Sequence, residues 1–115
     1  MSYKIYDMSF SKVYPMLVAK AERKDRSRAE VDQVTTWLTG YSSTAIEEAL
    51  SSEVSYGDFF RQAPALNPKR HLITGSICGV KLTEIKEPLM QDIRYLDKLV
   101  DELAKGRPLE KIIRS

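Results

Sequence analysis

Residues 66–80, LNPKRHLITGSICGV, hold the only histidine of the chain, His71, and its only cysteine, Cys78. A thiol and an imidazole are the parts of a nucleophilic pair, provided the base sits about 3 Å from the thiol. Here they are seven residues apart. On a helix that spacing puts both on one side but about 10 Å apart along the axis. On a strand, an odd spacing puts them on opposite faces. This stretch alone builds no dyad, so an enzyme using His71 and Cys78 would need groups from elsewhere in the chain. We keep that as the alternative reading, and the balance leans away from an enzyme. A structural zinc takes four ligands, and the His and Cys inventory supplies two. Neither a calcium-loop pattern, a glycine-rich phosphate loop nor a G-x-S-x-G elbow occurs. The sequence assigns no catalytic residue, no metal and no cofactor.

One contact chemistry remains. Asn67 followed by Pro68 is a helix-start signal, with Asn as the cap and Pro in the first helical position. Lys69, Arg70 and His71 follow at once. Free backbone amides, the helix dipole and cations together favour an anion. Asn67, Lys69, Arg70 and His71 are therefore the candidate anion or ligand contact. A nucleic acid is a less favoured partner. Residues 29–52 read as helix, glycine-containing turn, helix, but the second helix presents Glu47 and Glu48 and no basic side chain, which repels phosphate. Weak nucleic-acid binding is thus a second alternative.

The elements that must position these residues read as helices. Phe10, Val13, Tyr14, Leu17 and Ala21 share one helical face. Pro15 is tolerated only near a helix start, so this helix is expected over residues 11–24, after a short extended arm over 1–7. Ser27 and Glu30 form a capping box, opening a helix over 28–39 that stops at Gly40. Short helices are expected from Thr44 and from Tyr56, the second carrying the core aromatics Tyr56, Phe59 and Phe60. Over 68–79, Ile73, Ile77 and Val80 recur at four and three, favouring a helix whose Gly75 and Gly79 admit a close neighbour. The competing reading is a small β-hairpin within 70–85, because two glycines are poor in helices and the β-branched residues suit strands. Residues 80–87 connect, with Leu82 and Ile85 turned inward. The clearest element spans 88–105: Leu89, Ile93, Leu96, Val100 and Leu103 recur at four and three. That stripe suits the core of a bundle and, as an alternative, a homodimer seam. A last short helix falls at 108–114.

Length and composition fit this picture. A chain of 115 residues with 43% hydrophobic and 30% charged residues is expected to form one globular domain, residues 1–115. A net charge of +2 selects no partner class. The lone cysteine closes no internal disulfide and suits a reducing compartment. With no apolar run long enough for a membrane span or a signal peptide, the expected location is the cytoplasm and no membrane partner is called.

Five segments carry a resemblance over nearly the whole chain: FSKVYP at 10–15, WLTGY at 37–41, FFRQAPALNP at 59–68, RHLITGSICG at 70–79 and PLMQDIRYLDKLVDELAKG at 88–106. They resemble the small bacterial family catalogued as DUF2200. The resemblance implies a stand-alone bacterial protein and brings no catalytic residue, cofactor or partner. The expectation is an all-α, predominantly helical bundle of about six helices packed on the 88–105 helix. It is read as a non-enzymatic binding or interaction module, for a small anion or a protein partner.

Overall fold

A computed structural model describes residues 4–77 and 79–113. Its centre is α6, Pro88–Ala104, which starts with Pro88 in the first turn and packs against most of the other elements. Ile93, Leu96, Leu99, Val100 and Leu103 are all buried. That corrects the homodimer reading of this seam: the stripe is consumed by the chain's own core, so it offers no face to a second copy.

Around α6 lie α1 (Lys4–Asp7), α2 (Phe10–Glu22), α3 (Arg28–Thr39), α4 (Ser43–Leu50), α5 (Tyr56–Arg61) and α7 (Leu109–Ile112). With α6 these make seven helices among the described residues. Of the expected extended arm over 1–7, residues 1–3 lie outside the described residues and Lys4–Asp7 is instead the single helical turn α1. It buries Tyr6 against α5, where Gly57 leaves the room: a Cβ there would sit 3.1 Å from Tyr6 Cβ. The chain then crosses back beside residue 55, with Phe10 N donating to Val54 O (2.9 Å) and Tyr56 N to Met8 O (2.7 Å). Pro15 stays inside α2, on its exposed side.

The capping signals at the two ends of α3 act as read. Glu30 N donates to Ser27 Oγ (3.2 Å) while Ser27 N donates to Glu30 Oε1 (3.0 Å). Glu30 also accepts two bonds from the Arg26 guanidinium, at 3.0 and 2.5 Å. These Arg26 bonds, with the Ser27 amide next, pull the Glu30 carboxyl down to about 2. Gly40 closes α3 at φ +82, and a Cβ there would lie 2.8 Å from Ala65 Cβ, so left-handed geometry and close approach both require glycine. Ser42 rather than Thr44 caps α4, and Ser55 caps α5.

The aromatic core follows. Phe10 stacks on Phe59 (centroids 4.0 Å) and on Tyr14 (4.8 Å), and Phe60 meets Phe59 edge-on. Together with the α6 stripe they form one continuous core.

The stretch 68–79 departs from the favoured reading. Pro68–Leu72 is one turn of 3-10 helix, and then β1 (Ser76–Ile77) and β2 (Val80–Lys81) pair antiparallel, Ser76 with Lys81 and Ile77 with Val80. The hairpin alternative within 70–85 is the structure. Gly75 and Gly79 adopt φ +95 and +79, a left-handed geometry that no right-handed helix can contain. The expected glycine packing face is corrected too. Nothing lies within 4 Å of a Cβ at Gly79, and at Gly75 only the end of Lys98 does. Both glycines turn the chain rather than admit a neighbour.

Candidate functional site

Asn67 is fixed on two sides. Its Oδ1 accepts from Lys69 N (2.9 Å), holding the 3-10 turn, and its Nδ2 donates to Trp37 O (3.2 Å) at the end of α3. The turn is bound to α6 by the next two side chains. Arg70 Nε donates to Asp92 Oδ1 (2.9 Å), and Arg70 Nη1 donates to Asn67 O (3.0 Å). The His71 Nδ1 and Tyr95 hydroxyl are hydrogen-bonded at 3.2 Å, with the rings edge-on at 6.0 Å. Asp92 and Tyr95 are both buried and lie three residues apart on α6, one face of the helix. Burial pushes the Tyr95 phenol up, and Asp92 adds to this against the opposing Arg70 charge.

Of the four sequence candidates, the structure brings Asn67, Arg70 and His71 into one cluster with α6. Lys69 stands exposed beside them and makes no ion pair among the described residues. The physical basis for anion affinity changes, because a 3-10 turn of five residues carries little of the dipole expected from a twelve-residue helix. What remains is side-chain charge: Lys69, the outer edge of Arg70, and the exposed His71. The pairing of His71 with Cys78 lies outside the described residues, since Cys78 is not among them. No group of three or more His, Cys, Asp or Glu that could hold a metal occurs among the described residues.

Sequence reasoning missed Asp92 and Tyr95. One signal was available. Asp92 falls three residues after Leu89 and four before Leu96, inside the apolar stripe of α6. A carboxylate there must find a cation or lose its charge, and Arg70 is that cation.

The class is thus a small, predominantly helical domain in which a polar cluster ties one surface turn to the central helix. The chain belongs to the family described as "Uncharacterized protein conserved in bacteria (DUF2200)", whose model matches residues 4–114. It is similar to a solved structure, "Crystal structure of uncharacterized protein SP1917", at 54% identity, with a TM-score of 0.93 over 97% of this chain and 92% of that one. No curated protein matches it. No helix among the described residues is long and apolar enough to cross a membrane.

Proposed function

We propose that the chain is a non-enzymatic binding module of the bacterial cytoplasm that contacts an anionic group on its ligand or partner through Asn67, Lys69, Arg70 and His71. The observation that carries this is the double tether of the 3-10 turn, Arg70 to Asp92 and His71 to Tyr95. It holds adjacent cationic and imidazole groups at the surface with little side-chain freedom left to lose on binding. The exposed Leu72 next to them adds apolar contact area. A chain with one cysteine suits the cytoplasm, as it needs no oxidising compartment.

Isothermal titration with phosphate, nucleotides and small dicarboxylates tests the reading. Lys69→Ala removes an exposed charge and leaves the tethers intact, so it is expected to weaken anion binding about fivefold. Absence of binding heat with every anion, or an unchanged Lys69→Ala, rejects it.

A further inference from the structure

A second concavity lies on the outer face of α3. It is an open groove of about 590 Å³, within the roughly 300–1,000 Å³ of small-molecule sites. Trp37, the only tryptophan of the chain, lines it together with Asp32, Gln33, Thr36, Ser43 and Ile113. Among the described residues, Asp32 is its only charged lining residue. The Asp32 carboxylate is held in place: Tyr14 Oη donates to Oδ1 at 2.5 Å, and Arg28 Nε lies 3.5 Å from Oδ2. Burial, then the bond to Asp32, raises the Tyr14 phenol, which keeps its proton and stays a donor. Arg28 is shared, because its Nη2 donates to Glu47 on α4. One guanidinium thus stands against two carboxylates, leaving one negative charge beside an aromatic wall. The other polar groups of the wall are the Gln33 amide and the Thr36 and Ser43 hydroxyls. All are exposed to solvent and can accept hydrogen bonds, and these side-chain groups have no hydrogen-bond partner among the described residues.

We propose that this groove is a site for a guanidinium group, stacked on the Trp37 indole with its N–H donors turned to Asp32, Gln33 and the α3–α4 hydroxyls. A guanidinium is planar, stacks on aromatic faces and carries five donors in a fixed fork. The wall matches it with one carboxylate and three neutral acceptors. An ammonium fits less well, being a compact, strongly hydrated point charge that cannot stack. The groove shares no lining residue with the anion contact at residues 67–71, the link between them being the bond from Asn67 Nδ2 to the Trp37 carbonyl, and the proposal stands whether or not that reading does.

Trp37 reports on the site directly, as no other tryptophan emits. Titrating the full chain with N-acetyl-arginine amide is expected to shift Trp37 emission saturably. N-acetyl-lysine amide should bind more weakly, and acetate should leave the emission unchanged. Asp32→Asn is expected to weaken arginine binding about fivefold. Gln33→Ala, at an exposed position outside the core, should weaken it about threefold and keeps the test valid if Asp32→Asn unfolds. A blocked pentapeptide centred on arginine binding more tightly than methylguanidinium would assign the site to a protein side chain, and the reverse order to a free small molecule. The proposal is overturned by the absence of a saturable emission change, by equal binding of the lysine and arginine amides, or by unchanged affinity in a folded Gln33→Ala.

Discussion

The central helix α6 and the stretch 68–81 both carry apolar residues spaced by threes and fours, yet one is a seventeen-residue helix and the other a 3-10 turn followed by a hairpin. In α6 the period is sustained through Leu89, Ile93, Leu96, Val100 and Leu103, with charged residues on the opposite side and no glycine before Gly106. In the other stretch three residues match the period, and two glycines interrupt it. Where the repeat is short, backbone preference decides: β-branched residues favour extended backbone and the glycines supply positive φ. The regions differ in what holds them as well. α6 is secured by buried apolar area, whereas the 3-10 turn rests on polar bonds to Asp92 and Tyr95.

That difference can be measured. The largest effect is expected in α6. Leu99 is fully buried, so Leu99→Ala removes apolar burial and leaves a cavity, costing about 2–5 kcal/mol; urea unfolding would give the value. Asp92→Ala comes next. It strips the partner from a mostly buried Arg70 guanidinium and should cost about 1–2 kcal/mol, below the roughly 3–5 of a fully buried pair because Arg70 retains some solvent. A double-mutant cycle with Arg70→Ala isolates the coupling. If the turn depended on apolar burial rather than on this pair, the cycle would return no coupling beyond about 0.3 kcal/mol.

Most of the helical framework was legible because its signals are local. The Ser27–Glu30 box, the Gly40 stop and the α6 stripe each act within a few residues, and each appears where the sequence puts it. The 3-10 turn was legible as a start, through Asn67 and Pro68, but not in its length, since the backbone is already extended at the β-branched Ile73. The partners of the candidate site were not legible. Arg70 meets Asp92 and His71 meets Tyr95 across more than twenty residues, and such pairings are set by how the chain returns, not by any local pattern. The α3 groove was hidden for the same reason: Ser43 and Ile113 reach Trp37 only through the packing of α4 and the C-terminal segment.

The smallest expected effect separates the two regions most sharply, because its sign alone decides. In a helix over 68–79, replacing the interior Gly75 by alanine would stabilise by about 1 kcal/mol, since glycine gives up more backbone freedom than any other residue. At φ +95 the same substitution places a Cβ in left-handed backbone and should destabilise by about 1 kcal/mol. Contacts do not confuse the result, as a Cβ there meets only the flexible end of Lys98, at 3.4 Å. Asparagine tolerates the left-handed region better than alanine does, so the hairpin orders the urea midpoints glycine, asparagine, alanine from highest to lowest. A helix reverses that order, with alanine highest and glycine lowest. Midpoints measured for Gly75, Gly75→Asn and Gly75→Ala therefore distinguish turn from helix without a new structure, and an alanine midpoint above that of glycine would return residues 68–79 to the helical reading.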